Sequence, residues 1–409
     1  MRSHYDILIV GAGHGGAGLS LNLRQRRFAG SIGVVSDEPC MPYERPPLSK
    51  EFLSGVKSFE EIQFRSSAVW ENQSIDVLRG TRAESISAAG HELGLSDGSV
   101  MGYGTLVWAA GGRARRLACP GSDVAGIHYV RCKDDVDALR AELPQAERIV
   151  VIGAGYIGLE SAATLAGLGK SVIILESLPR VLARVAGSEL STFFQETHTA
   201  RGVEIVLNAM VAGMESRAGR ICAVRLADGR RIEAQLAIVG IGILPNTELL
   251  AAAGASVSNG VRVDEQCRTD LPDIYAIGDC ALHPNRFAAS GTARLESVQN
   301  ATDQAATVAK VLMGESAGYD AVPWFWSQQF DVRLQTVGLS QGADSSVIRG
   351  DPKSGAFSVV YTLRGRVIAL DCVNAGRDFI QGKRLVMKGA MADAKTLAST
   401  AVELRSLVS

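Results

Sequence analysis

Tyr5-Asp6-Ile7-Leu8-Ile9-Val10-Gly11-Ala12-Gly13-His14-Gly15-Gly16 is a short apolar, β-branched run that breaks into Gly-x-Gly-x-x-Gly. An amphipathic stretch from Ala17 to Arg27 follows, then a second apolar run from Ser31 to Ser36. Strand, glycine turn, helix and strand predict one βαβ unit. The pattern returns at Arg148-Ile149-Val150-Val151-Ile152-Gly153-Ala154-Gly155-Tyr156-Ile157-Gly158 and continues through Leu159–Leu168 into Ser171–Glu176. This internal repeat decides the architecture.

The parallel extends downstream. Both halves carry an Asp-Gly hairpin signal, Asp97-Gly98 and Asp228-Gly229, and each leads into a buried apolar strand ending in glycine, Thr105–Gly112 and Gln235–Gly242. The expected fold is α/β, with two Rossmann-like, three-layer dinucleotide-binding domains, each laying a small antiparallel layer over a parallel sheet. Further β/α material lies between Pro245 and Pro323, with a helix expected from about Gln299 to Met313. From about Val322 the composition shifts. The pair Trp324/Trp326 opens a tail of short strands (Leu334–Leu339, Ala356–Leu363, Val367–Asn374) and a closing helix, which predicts a C-terminal α+β domain. The expected boundaries are 1–112 with 243–322 for a discontinuous first domain, 113–242 for the second and 323–409 for the third.

Composition narrows the function classes. With 409 residues the chain is long enough for two or three cores without staples. Lys+Arg total 42 against 43 Asp+Glu, a balance unlike that of a phosphate-backbone binder, so no nucleic-acid partner is expected. Hydrophobic content of 46% with 21% charged residues excludes dominant disorder. No apolar run reaches the ~18 residues of a membrane span, so no membrane partner is expected. The seven cysteines (40, 119, 132, 222, 267, 280 and 372) are odd in number and widely spaced, which reads as reduced thiols of a cytoplasmic protein. They and the histidines form no ligand spacing, so no metal is expected. The N-terminus enters its strand within a few residues, and no signal peptide is expected.

The glycine motifs carry chemistry. The first glycine of each permits the tight turn, the second lets backbone approach a pyrophosphate, and the third allows close helix–strand packing. The helix N-terminus then presents N–H groups and partial positive charge to the anion. An acidic residue about 20 positions on grips ribose hydroxyls. Asp37 stands 21 residues after Gly16, and Glu176 stands 18 after Gly158. Two such sites imply two different dinucleotides, and a nicotinamide hydride donor with a flavin acceptor is the common pairing. Glu176 favours NADH, because a 2′-phosphate near it would be repelled by about 4 kcal/mol at 4 Å and an effective dielectric of 20, and even ~1 kcal/mol after screening is roughly fivefold. Arg180 and Arg184 are the residues that could instead cradle a 2′-phosphate.

Other segments carry a resemblance. They are Pro42-Tyr43-Glu44-Arg45-Pro46-Pro47-Leu48-Ser49-Lys50, Gly153–Glu160, Val239–Asn246, Tyr275-Ala276-Ile277-Gly278-Asp279-Cys280, Glu296–Asn300 and Trp324-Phe325-Trp326-Ser327. In this order, over nearly the whole chain, they resemble the FAD-dependent NADH:ferredoxin reductases that serve bacterial oxygenases. The RPPLSK segment and the WFWS opening of the tail are the specific part, since all glutathione-reductase-like flavoproteins share the glycine motifs. The resemblance implies that Gly11, Gly13, Gly15 and Gly16 line the FAD pyrophosphate and that Asp37 binds the adenosine ribose, with Glu38 able to share that role. It implies that Arg45 and Lys50 reach the flavin, Lys50 near N5, and that Ala83 and Arg131 contact FAD. Asp279 would hold the ribityl chain, and Val298 would present backbone to the pyrimidine end of the ring. For NAD it implies Gly153, Gly155, Ile157, Gly158, Glu176, Arg184 and Gly242, with Glu160 near the carboxamide and able to pair with Lys50. Lys50 and Glu160 are the residues expected to act in the chemistry. The sequence departs from the pattern at Ala110, where relatives often carry threonine, and at Gln299.

The activity so implied is transfer of hydride from NADH to FAD, then of single electrons to a [2Fe-2S] ferredoxin that feeds a P450 or ring-hydroxylating dioxygenase. Arg65, Arg286 and Arg294 flank the inferred flavin segments and are candidates for steering an acidic ferredoxin. A monomer or weak homodimer is expected. The stretch Gly15–Arg27 holds no cysteine, unlike a disulfide reductase of this fold. Rubredoxin reductase, NADH oxidase and a non-catalytic NADH sensor resembling apoptosis-inducing factor stay open at this point. Plainer roles also stay open: a surface lysine for Lys50, a dipole-complementing carboxylate for Glu160, a helix cap for Asp279, a solvated side chain for Arg131, and packing for His14 and the tryptophans.

Overall fold

Successive side chains of a strand point to opposite faces, so a run apolar at every position is buried on both. Ile7 to Val10 of the strand β1 (His4–Val10), all four buried, show this. Its Ile7 and Ile9 pack with Ala17, Leu19 and Leu23 of the helix α1 (His14–Gln25), while Tyr5, Leu8 and Val10 join a second core with Leu93, Leu95 and Trp108. β1 lies parallel between β2 (Ile32–Val35) and β3 (Val100–Trp108), with Val10 opposite both Val35 and Trp108. Ile75–Leu78 extends the parallel sheet beyond β2, and Ile274–Ala276 pairs with β3. Helix Val298–Leu312 packs on α1, where a Cβ on Gly18 would stand 3.7 Å from that of Ala305.

The computed structural model describes residues 2–408, which divide into two units. The first comprises the chain through Arg45, Phe59–Arg113 and Leu244–Trp324. The second comprises Pro46–Ser58, Ala114–Ile243 and the chain from Phe325. Residues 46–58 therefore group with the second unit, where the sequence alone suggested the first.

The second unit repeats the motif. β4 (Arg148–Ile152), α2 (Tyr156–Gly167) and β5 (Ser171–Leu175) form its βαβ, in a parallel sheet ordered Glu204–Val206, β5, β4, Leu236–Val239, Ile127–His128. The hairpin at Asp228-Gly229 belongs to a separate antiparallel sheet of Val211–Arg217, Arg220–Leu226 and Arg231–Glu233. The first unit differs here. Its Asp97-Gly98 hairpin joins Glu92–Leu95 to β3, Ala83–Ser87 pairs in turn with Glu92–Leu95, and both strands continue the main sheet instead of forming a layer of their own.

The tail forms a five-stranded sheet in the order β6 (Trp324–Gln329), Val332–Gly338, Arg366–Val373, Ala356–Leu363, Ser345–Asp351, covered by helix Gly376–Lys388. Two of these strands, β6 and Ser345–Asp351, were not foreseen from the sequence. Both glycine-motif helices also begin three residues earlier than their apolar periodicity suggested, because the last motif glycine already lies in the first turn.

Candidate functional site

The two motifs fold almost identically. Gly11 and Gly153 take φ of +105° and +100°, and a Cβ on either would strike backbone at 2.3 Å and 2.5 Å. A Cβ on Gly16 or Gly158 would lie 1.9 Å or 2.0 Å from the carbonyl oxygen of its own motif's first glycine. These positions allow no side chain. Gly13 and Gly155 are different: each is a helix N-cap, no side chain caps either helix, and an added Cβ would meet nothing within 4 Å. Open space in front of an uncapped helix end suits the diphosphate of a dinucleotide. FAD and NAD therefore fit the two cradles. Gly15, inside α1, faces Ile277 and Ala109.

The two carboxylates expected at the riboses differ between the motifs. Glu176 is buried, and its two oxygens accept from the Ala154 N–H at 2.7 Å and the Leu178 N–H at 2.9 Å. Asp37 is exposed, while its neighbour Glu38 accepts from the Tyr43 hydroxyl at 2.5 Å and pairs with Arg45. The Arg45 guanidinium also lies over the Tyr43 ring. Arg180 spends its guanidinium on the Ala186 and Ala183 carbonyls and the Ser191 hydroxyl, whereas Arg184 is exposed. Of the two arginines weighed for a 2′-phosphate, only Arg184 is uncommitted to the fold.

The remaining expected residues are dispersed. Ala83 opens a strand at the rim of the first unit's core. Asp279 lies in the 3-10 turn Gly278–Cys280, and its backbone carbonyl accepts from Arg294. Val298 is the first residue of its helix, behind the N-cap Ser297. Arg131 precedes helix Lys133–Glu142, and its backbone N–H donates to Asp135. Ile157 is 43% exposed at the start of α2, and Gly242 has φ +101° with open space at its Cβ position. His14 packs edge-on against Phe64.

Lys50 and Glu160 are brought together. Glu160 is 3% exposed, four residues into α2, and its Oε2 accepts from the Lys50 ammonium at 2.5 Å and the Ser49 hydroxyl at 2.6 Å. Thr164, one turn further along α2, donates to the Ser49 carbonyl and holds that segment in place. The other carboxylate oxygen accepts from the Ser327 hydroxyl of β6 at 2.7 Å. Neither a surface lysine nor a simple dipole-complementing glutamate fits this burial and pairing. Sequence reasoning reached Lys50 and Glu160 but not Ser49 or Ser327, although both serines lie inside the RPPLSK and WFWS segments.

The steering arginines fare unequally. Arg65 is exposed, Arg286 pairs with Asp320, and Arg294 has a side chain only 10% exposed that pairs with Glu296. Burial withdraws Arg294 from that role. Cys280, beside Asp279, is fully buried, and burial pushes its thiol up to about 12. Among the described residues no disulfide joins any of the seven cysteines.

Fold and cradles define an oxidoreductase that binds two dinucleotides, FAD and a nicotinamide. Residues 5–305 match the family model for pyridine nucleotide-disulphide oxidoreductases, and residues 324–408 match the reductase C-terminal model. The chain is 54% identical to a ferredoxin–NAD(P)+ reductase of Sphingomonas sp., covering 95% of this chain and 94% of that protein. Its fold superposes with a TM-score of 0.95 on the ferredoxin reductase for the CYP199A2 system from Rhodopseudomonas palustris, at 38% identity with each chain fully covered. A TM-score of 0.95 also relates it to the reductase in the covalent putidaredoxin reductase–putidaredoxin complex, at 36% identity over 100% of this chain and 98% of that one. The chain belongs to the pyridine nucleotide-disulphide oxidoreductase family, within its ferredoxin reductases.

Proposed function

We propose that the protein carries electrons from NADH to a [2Fe-2S] ferredoxin that serves a P450 or a ring-hydroxylating dioxygenase. FAD, when bound, supplies the redox chemistry, taking a hydride and releasing electrons singly. The observation that carries the reading is the buried Lys50–Glu160 pair, whose glutamate lies on the helix that opens at the second cradle. Gly13 and Gly155 leave room for the diphosphates, and the N-termini of α1 and α2 offer them N–H donors.

Lys50, fixed by Glu160 and Ser49, provides a preorganised positive charge where reduction adds negative charge to the flavin. Glu160 keeps acceptor capacity for the carboxamide of nicotinamide, and Glu176 selects NADH over NADPH. Neither needs to move a proton. The reading includes a cytoplasmic protein that is a monomer or weak homodimer.

Two measurements test it. NADH-driven cytochrome c reduction should require added ferredoxin; equal rates with rubredoxin or oxygen alone would point to another acceptor. In anaerobic stopped flow, K50A should slow reduction of the flavin about tenfold or more, the size of a lost electrostatic contact in a water-excluded site. An unchanged rate removes Lys50 from the chemistry.

A further inference from the structure

Glu160 is the end of a buried polar chain that no role described so far explains. Ser327 donates to its Oε1 at 2.7 Å, the Gln329 amide nitrogen donates to Ser327 Oγ at 3.2 Å, and Gln329 Oε1 meets His198 Nε2 at 2.9 Å. All three side chains are 1% exposed or less. The direction of every bond follows from the carboxylate. An ion-paired carboxylate only accepts, so Ser327 must donate to it and accept from the NH2 of Gln329. That turns the Gln329 carbonyl toward His198, which must carry its proton on Nε2. Burial holds the His198 pKa down to about 4, so the ring is neutral at pH 7. Its Nδ1 is buried and makes no hydrogen bond among the described residues.

A neutral imidazole shut away beside Phe330 has no catalytic use of its own. Its position at the far end of a one-way series of donors gives it another. Each donor orients the next, and aligned hydrogen bonds polarise one another in a low-dielectric interior. The geometry points to Ser327 as a positioning residue for hydride transfer: backed by Gln329 and His198, it fixes the Glu160 carboxylate in the single orientation that pairs with Lys50 and faces the nicotinamide carboxamide. The C-terminal sheet thereby contributes to the chemistry through β6, besides whatever it does for the acceptor protein. This inference rests on the reading of Glu160 given above.

The titratable groups near Glu160 are Lys50, its ion-pair partner, and Tyr156, whose phenol is pushed up by burial and by the charges of Asp371 and Glu160. Neither contacts Ser327 in the chain of hydrogen bonds, so a double-mutant cycle isolates the Ser327–Glu160 link. In the FAD-loaded protein, S327A should lower the limiting rate of flavin reduction by NADH about tenfold, as expected for a hydrogen bond to a charged group. The dissociation constant for NADH should change little and the thermal midpoint should fall by a few degrees, the cost of an unmade buried hydrogen bond, while S327T, which keeps the hydroxyl, should restore the rate.

In an E160Q background, S327A should add almost nothing. Full additivity, an unchanged rate in S327A, or a loss seen only as weaker NADH binding would overturn the proposal. An E160Q rate equal to that of the parent would refute the role of Glu160 itself, and this inference would fall with it. A second readout needs neither variant nor turnover. Nitrogen-15 NMR of the resting holoenzyme should show His198 protonated at Nε2, and a proton at Nδ1 would contradict the direction of the chain.

Discussion

The glycines of the second motif separate folding from binding. A Cβ at Gly158 would stand 2.0 Å from backbone, whereas one at Gly155 would meet open space. G158A should therefore lower the unfolding midpoint, while G155A should fold normally, keep its FAD and lose NADH affinity by at least about tenfold, as calorimetry would record. Glu176 tests cofactor choice. E176A removes the negative charge, and also the acceptor of the Ala154 N–H inside the cradle. NADH turnover should fall, and the ratio of NADPH to NADH turnover should rise about fivefold in steady-state kinetics. Much at this scale was legible beforehand. The motif spacing gave Gly153, Gly155, Gly158 and Glu176, and the RPPLSK segment gave Lys50. Ser327 was not legible as a partner of Glu160, because 167 residues separate them and only the fold closes that distance.

Elements were readable where their apolar period was intact. β1 and β4, the glycine-motif helices and the Asp-Gly hairpins followed from alternation and turn chemistry. The strand Ser345–Asp351 escaped because its one fully buried position is Arg349, 5% exposed, so its sequence reads as polar. That guanidinium donates to Asp378 at 3.0 Å, to the Val402 carbonyl at 2.9 Å and to the Leu397 and Ser399 carbonyls. It ties the edge strand to the segment after the last helix. R349A leaves the half-buried Asp378 carboxylate with the Ser358 hydroxyl alone and several carbonyls without a donor, at a cost of about 1–3 kcal/mol. The thermal midpoint should drop by several degrees, and R349K, which lacks the planar fork, should recover only part of the loss.

At the scale of the whole molecule, one buried acid adds a distinct pH-dependent contribution to stability. Burial pushes the Asp371 carboxyl up to about 7, with the nearby Glu189 adding to the rise and the Tyr361 hydroxyl, which donates to it at 2.8 Å, opposing it. Tyr156 also lies within reach of its charge, and the Gly187 N–H donates to Tyr361. The folded chain thus keeps this proton at pH values where the unfolded chain has lost it. Stability from this group is present below about pH 4, falls as pH rises from about 4 to about 7, and then levels. D371N should remove this contribution, lowering the melting temperature at about pH 5 relative to that at about pH 8 by a few degrees.

The chain passes between its two units five times, so neither is a continuous stretch of sequence. An exchange of residues 114–243 alone with a relative would carry Glu160 across and leave Lys50 behind, since Lys50 travels in the short insert Pro46–Ser58. Chimaeras meant to swap nucleotide preference must therefore transplant that thirteen-residue insert together with the longer segment, or they will break the buried ion pair at the seam.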